Sequence, residues 1–136
     1  MEEVVQIHFK DSRGSDLTPP QVVREIVDFL EADKERLYKI TIGTDSLLYA
    51  DKSADFVTAI VVHRIGNGGR YFWRRASFEK FHTLRDRILK EVLTSLDLAK
   101  VVIENLALFK DIKFDLEIHV DVGENGETKQ MIQEVV

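Results

Sequence analysis

The spacing of apolar residues changes twice along this chain, and those changes constrain its fold most. Three segments, 38–49, 56–65 and 70–78, are rich in β-branched and aromatic residues and are separated by short polar or glycine-rich stretches. From Thr83 to Leu108 apolar residues recur at helical spacing, and from Phe114 to Val122 they alternate strictly. This order predicts a three-stranded antiparallel meander, a long crossover helix and one further strand.

Weaker patterns precede and follow this block. Thr18 places a capping hydroxyl before Pro19, and apolar residues then recur at helical spacing, which predicts a helix over 19–33. Residues 4–9 predict a short strand followed by a loop at 11–15, and Glu127 begins another helical pattern. The whole is typical of an α/β protein with a mixed (α+β) sheet, in a single domain spanning 1–136.

Charge and composition exclude several classes of protein. Nineteen basic and 24 acidic residues give a net charge of −5, so bulk positive charge does not hold nucleic acid here. The absence of cysteine excludes a disulfide framework and a cysteine-based zinc site, and it favours the cytoplasm. The sequence has neither a secretory signal nor an apolar run long enough to span a membrane. Nothing in it sets the oligomeric state.

Asp45 stands in an unusual setting for a carboxylate. The surrounding residues 40–48 are apolar, small or hydroxylic, so an aspartate costs strand propensity and desolvation unless a metal or backbone donors compensate. The alternative is a turn or bulge at 43–46, where Asp and Ser are ordinary residues.

Asp121 stands near the end of the alternating strand, directly before Val122 and Gly123. Ligand sites in open α/β sheets collect at the carboxyl edge of the strands, and Glu117 and His119 share the strand face of Asp121. A half-exposed strand that approaches a loop has the same pattern, so both interpretations stay open.

Glu91 is a third candidate because its position on the long helix can be tested by rotation. At about 100° per residue it lies within roughly 20° of Leu84 and Val102, whereas Asp86 lies on the opposite side. A glutamate at the margin of a buried stripe either extends to water or points at something inside. The predicted apolar stripe consists of Leu84, Ile88, Val92, Leu96, Ala99, Val102, Ile103 and Leu106.

The three carboxylates converge if both strands end at the same edge of the sheet. Carboxylate oxygens are hard ligands that select Mg²⁺ or Mn²⁺ over zinc. Two such ions about 4 Å apart can activate a water and stabilise the leaving oxygen of a phosphodiester. Bound cations would also supply positive charge that the acidic chain lacks.

The element order and three short motifs resemble the YkuK-type family of predicted ribonuclease H-like proteins. The motifs are 42–46 (IGTDS), 91–96 (EVLTSL) and 119–123 (HVDVG), and the resemblance covers the chain from about Thr18 onward. It implies a ribonuclease H-like fold with a parallel strand after the long helix and an N-terminal extension over about 1–36. It also implies that Asp45, Glu91 and Asp121 correspond to the first three metal-binding carboxylates of such nucleases.

The chain departs from that superfamily at its end. Members commonly use a fourth acidic residue or a histidine on a later helix, and this sequence stops at Val136 inside an apolar helical pattern. We therefore expect a fragment of a longer protein, or weak or absent activity.

A second signal lies in 70–75, where Arg70, Arg74 and Arg75 are interleaved with aromatic residues. Such a strand can contact phosphates and stack on bases. The preferred interpretation is a strand with an aromatic core face and a basic solvent face, because the position of the strand in the meander explains the aromatic residues equally well. Ser46 and His119 are further candidate contacts to nucleic acid because they adjoin the proposed carboxylates, and His119 can orient a ligand or protonate a leaving group.

These observations favour an Mg²⁺- or Mn²⁺-dependent nuclease that hydrolyses RNA, DNA or their hybrid at Asp45, Glu91 and Asp121. The alternative is a non-catalytic nucleic-acid-binding or assembly module with the same fold. A phosphotransfer ATPase is less favoured because the chain has no phosphate-binding glycine loop.

Overall fold

A six-stranded mixed sheet with two helices forms the described part of the chain. The computed structural model describes residues 8–78, 80–109 and 112–120. Its elements in chain order are β1 (Phe9–Asp11), β2 (Asp16–Leu17), α1 (Pro19–Glu31), β3 (Tyr38–Leu48), β4 (Ala54–Arg64), β5 (Gly69–Phe78), α2 (Leu84–Leu106) and β6 (Asp115–His119). The sheet order is β2-β1-β5-β4-β3-β6, in which β6 pairs with β3 in parallel and the other pairs are antiparallel.

The sequence predictions for the central block are confirmed. The meander, the long helix and the parallel strand all form, and α1 ends two residues before the predicted boundary at Asp33. The hairpin of β1 and β2 was not predicted, and of the expected strand over 4–9 the structure describes His8 and Phe9, with Phe9 in β1. The expected helix from Glu127 lies outside the described residues. Neither described helix is long and apolar enough to cross a membrane.

Local sequence explains where α1 begins and where the meander turns. The Thr18 side chain accepts a hydrogen bond from the backbone N–H of Gln21, and the Gln21 side chain accepts one from the backbone N–H of Thr18, which forms a capping box. Between β4 and β5, Gly66 and Gly68 have φ values of 80° and 83°, which are easily adopted only by glycine.

Both helices cover the same face of the sheet. Residues of α1 and α2 share one core cluster with alternate residues of the strands, including Ile40 and Ile42 of β3 and Phe72 of β5. The intervening residues form the other side of the sheet, which no described element covers. We call this side the open face, and its central residues are Thr41, Gly43, Asp45, Val57, Ala59, Val61, Tyr71, Trp73 and Arg75.

The buried stripe of α2 differs from the predicted one. Leu96 and Ile103, which were expected to be buried, are 41% and 46% exposed, so that part of the prediction was wrong. The helix instead turns Glu91, Ser95 and Leu98 toward the sheet. The prediction of the stripe was based on apolar residues alone and so treated polar residues as exposed. Glu91 and Ser95 are instead buried and hydrogen-bonded to β3.

Asp11 stabilises the turn that joins β1 to β2. Its carboxylate accepts hydrogen bonds from the backbone N–H groups of Arg13 (2.9 Å) and Ser15 (3.0 Å), and it contacts the Arg13 guanidinium at 3.3 Å. Burial by itself would raise the pKa of Asp11. The bonds from Ser15 and Arg13 outweigh burial and hold the pKa below its ordinary value of 3.8.

This lowered pKa predicts how stability depends on pH. A carboxyl whose pKa falls on folding stabilises the native state above its unfolded pKa, and the contribution is lost as pH falls toward the folded pKa. We therefore expect Asp11→Asn to narrow the drop in urea midpoint between pH 5 and pH 2, measured relative to the wild type. Asp28→Asn on the exposed side of α1 is the control. An Asp11→Asn effect that is the same at every pH would contradict this assignment.

Candidate functional site

Glu91 and Ser46 meet where α2 crosses the end of β3. Glu91 lies in the second turn of α2 and is 8% exposed. The Ser46 hydroxyl donates a hydrogen bond to Glu91 Oε2. Of the two possibilities that the helical rotation left open, the glutamate therefore points inward.

A chain of buried hydroxyls lies one helical turn away from Glu91. Thr44 Oγ1 lies 2.7 Å from Ser95 Oγ and 3.1 Å from Thr58 Oγ1, and all three residues are buried. Sequence reasoning missed this cluster. The signal that could have found it is Ser95, which lies four residues after Glu91 and so on the same side of the helix.

Asp45 lies in an unbroken strand, with its side chain on the open face. The pairing of β3 with β4 runs without interruption from Tyr38↔Arg64 to Leu48↔Ala54, which rules out a turn or bulge at 43–46. Asp45 is exposed, and its Oδ1 accepts a hydrogen bond from the backbone N–H of Ser46 at 2.9 Å. Strand alternation thus places Asp45 on the opposite face of the sheet from Glu91. The residue that follows Asp45, Ser46, is the one that donates a hydrogen bond to Glu91.

Asp121 lies outside the described residues. Described pairing between β3 and β6 ends at Gly43↔His119, and Asp45 and Asp121 each follow that pair by two residues in sequence. Since the two strands are parallel, their carboxyl ends lie at the same edge of the sheet. Within 8–78, 80–109 and 112–120, no group of three or more His, Asp or Glu side chains lies close enough to hold a metal ion.

His119 interacts with a neighbouring carboxylate on the same strand. Its Nε2 lies 3.1 Å from Glu117 Oε2, and Lys39 Nζ lies 3.2 Å from Glu117 Oε1. The hydrogen bond from His119 and then the contact with Lys39 lower the pKa of Glu117 below its ordinary value. His119 is the last residue of β6, at the carboxyl edge of the strand, and its ring contacts the Glu117 carboxylate.

The three arginines of β5 do not share one surface. Arg70 and Arg74 lie on the face that the helices cover, where their guanidinium groups stack 4.5 Å and 5.3 Å from the ring centres of Phe29 and Phe9. Desolvation lowers the pKa of Arg74, opposed by the charge of Asp97.

Arg75 lies on the open face with the two other aromatic residues of this stretch, Tyr71 and Trp73. The predicted division into an aromatic core face and a basic solvent face was wrong, because Phe72 is the one aromatic of 70–75 that enters the core. Arg75 is thus the one basic residue of the stretch that shares a face with an exposed aromatic residue, Tyr71, and with the half-buried Trp73, where bases could stack.

Comparison with known proteins identifies the family. Residues 21–136 match a family model described as Ribonuclease H-like. The chain is also 30% identical over 138 residues to the uncharacterized protein YkuK of Bacillus subtilis (strain 168), an alignment that covers 93% of this chain and 80% of the relative. No solved structure matches the chain significantly. A mixed sheet of this topology, together with these two matches, shows that the chain belongs to the YkuK-type ribonuclease H-like family.

Proposed function

We propose that this protein is a nuclease that hydrolyses phosphodiester bonds of RNA, DNA or their hybrid with Mg²⁺ or Mn²⁺. The observation that carries the proposal is the inward Glu91, which contacts the residue directly after Asp45 in a chain of the ribonuclease H-like family. Adjacent Cα atoms lie about 3.8 Å apart, so the backbone that carries Asp45 directly adjoins the serine that binds Glu91, although the two side chains leave β3 on opposite faces.

The donor set fits the proposed cation. Asp45, Glu91 and Asp121 would hold it, and carboxylate oxygens are the ligands that Mg²⁺ and Mn²⁺ prefer. Such an ion, when bound, would make a coordinated water easier to deprotonate to the attacking hydroxide and would supply positive charge near the leaving oxygen. The chain has no cysteine, so nucleophilic catalysis by a thiolate is not an alternative.

The burial and position of Glu91, Asp45 and His119 suggest a different role for each in the proposed reaction. Burial keeps bulk water away from Glu91, which strengthens its electrostatic interactions. Asp45, which is exposed, is accessible from the open face. His119 lies at the same edge of the sheet, and in this proposal it would orient a ligand or donate a proton to the leaving oxygen.

Replacement of Glu91 by Gln tests this proposal. A metal ligand contributes several kcal/mol to the transition state, and each 1.36 kcal/mol is tenfold in rate, so we expect kcat/KM for a labelled substrate to fall at least about 100-fold. The measurement is cleavage of fluorescent RNA, DNA and hybrid in Mg²⁺ or Mn²⁺. The matched control is Glu104→Gln, on the exposed side of the same helix.

Three results distinguish the proposals. Equal cleavage by the wild type and Glu91→Gln would exclude Glu91 as a ligand. Loss that also occurs in Glu104→Gln would indicate a general effect on the helix. Wild-type binding of labelled nucleic acid that persists in EDTA, with no cleavage in either metal, would favour the non-catalytic binding module, for which Tyr71, Trp73 and Arg75 on the open face offer a surface.

A further inference from the structure

Polar side chains of α2 and β3 form two neighbouring hydrogen-bonded contacts between the helix and the sheet, which we call the seam. The helix contributes Glu91 and Ser95, and β3 contributes Thr44 and Ser46. A buried polar group costs free energy unless it is hydrogen-bonded. Among the described residues, every buried side-chain nitrogen or oxygen atom has a hydrogen-bond partner, so the seam is satisfied.

The seam has a spacing that fits a helix lying along a strand. Glu91 and Ser95 are four residues apart, which is about 6 Å along an α-helix. Ser46 and Thr44 are two residues apart, which is about 6.6 Å along a strand. The pairs Thr44–Ser95 and Ser46–Glu91 are therefore successive contacts between β3 and an α2 that runs in the opposite direction.

Two such contacts fix the register of α2. A shift of one residue rotates a helix by about 100°, which would move Ser95 and Glu91 away from their partners together. Thr58 of β4 extends the first contact into the neighbouring strand, because Thr44 lies within hydrogen-bond distance of both Thr58 and Ser95. The contact between Thr44 and Ser95, one helical turn from Glu91, therefore also determines where Glu91 lies along the sheet.

We infer that Ser46 is a positioning residue for the Glu91 carboxylate, and that the Thr44–Thr58–Ser95 cluster anchors the helix that carries it. The inference rests on the proposed function, in which Glu91 is a metal ligand. A carboxylate can accept several hydrogen bonds, so the bond from Ser46 orients Glu91 without preventing it from binding a cation. Outer partners that hold a ligating group typically contribute 10- to 100-fold to metal affinity.

The test compares Mn²⁺ binding by the wild type and three Ser46 variants, measured by isothermal titration calorimetry on the full chain. We expect Ser46→Ala to raise the Mn²⁺ Kd by about 10- to 100-fold. Ser46→Thr keeps the hydroxyl, and its Mn²⁺ Kd should stay within about threefold of the wild-type value. Valine has nearly the shape of threonine but no hydroxyl, so Ser46→Val should bind Mn²⁺ as weakly as Ser46→Ala. The Thr and Val variants have nearly the same shape, so their comparison isolates the hydroxyl even if the alanine variant does not fold.

Ser77→Ala is the matched control, because the Ser77 hydroxyl donates to the Asp55 carboxylate on the exposed side of the sheet. Its Mn²⁺ affinity should equal that of the wild type. Equal affinity in the wild type and in Ser46→Val would overturn the positioning role while leaving the metal site intact. Absence of Mn²⁺ binding by the wild type would instead overturn the proposed function, and the positioning role with it.

Discussion

Under the proposed function, Mn²⁺ is expected to stabilise the wild type, and Asp45→Asn is expected to abolish both that stabilisation and cleavage. Asparagine keeps the size of the side chain and an oxygen that can accept the hydrogen bond from the Ser46 backbone N–H, so the strand should be unchanged. It removes the negative charge that the proposed divalent cation would require of this side chain. We expect a fall in kcat/KM of at least about 100-fold.

The thermal shift gives a second, independent measurement. At a free Mn²⁺ concentration of about 100 times Kd, binding adds about 2.7 kcal/mol to the free energy of unfolding. With an unfolding entropy of about 2.1 cal/mol/K per residue, this raises the melting temperature of a chain of this length by about 9 °C. Asp45→Asn should show little of this rise, and its melting temperature in EDTA should match that of the wild type.

Asp28→Asn, which alters an exposed aspartate on α1, is the control for loss of surface charge. Its Mn²⁺ shift should be the same as in the wild type. A full Mn²⁺ shift in Asp45→Asn would show that Asp45 is not a ligand. A lower melting temperature of that variant in EDTA would mean that the loss of activity reflects folding.

The second large effect concerns stability. Ile42 is fully buried between the sheet and the helices, so Ile42→Ala removes apolar contacts and leaves a cavity. Such changes cost about 2–5 kcal/mol. For this chain that corresponds to a fall of roughly 7–17 °C in melting temperature. Thermal unfolding followed by circular dichroism measures it.

Thr41→Ala is the paired control, because Thr41 is the preceding residue of the same strand and lies on the open face. Its cost should stay below about 1 kcal/mol. A similar loss in both variants would show that both faces of β3 are equally packed. That result would contradict the arrangement in which the helices cover one face.

Local patterns predicted the elements well because they depend on neighbouring residues. The Thr18–Gln21 cap, the glycine turn after β4 and the alternation of β6 each act over a few positions. The faces of α2 and β5 depend instead on contacts between distant residues. Leu96 was predicted to be buried but is exposed, because α2 directs Glu91 and Ser95 toward β3, where both are hydrogen-bonded.

The candidate site shows the same division. Asp45 and Glu91 were proposed because each is a carboxylate among apolar neighbours in the sequence. Glu91 is buried, as such a setting implies, but the expected desolvation of Asp45 was wrong, because strand alternation places its side chain on the open face, where it is exposed. The role of Ser46 was hidden, since a serine next to an aspartate is ordinary and its partner lies 45 residues away. Arg70 and Arg74 were grouped with Arg75 because sequence shows adjacency, whereas cation–π contacts and strand alternation separate them.

The parallel pairing of β3 with β6 has a consequence for how the sheet closes. These strands are joined through residues 49–114, whereas β3 and β4 are joined through residues 49–53. For flexible connections of these two lengths, the loop-closure relation gives a cost in chain entropy that is roughly 2.3 kcal/mol larger for the longer one. The carboxyl edge of this pair is where Asp45 lies and where the chain continues to Asp121. A cation shared by these strands would therefore act as a cross-link at the costliest closure of the sheet, so that its binding energy also holds β6 in place.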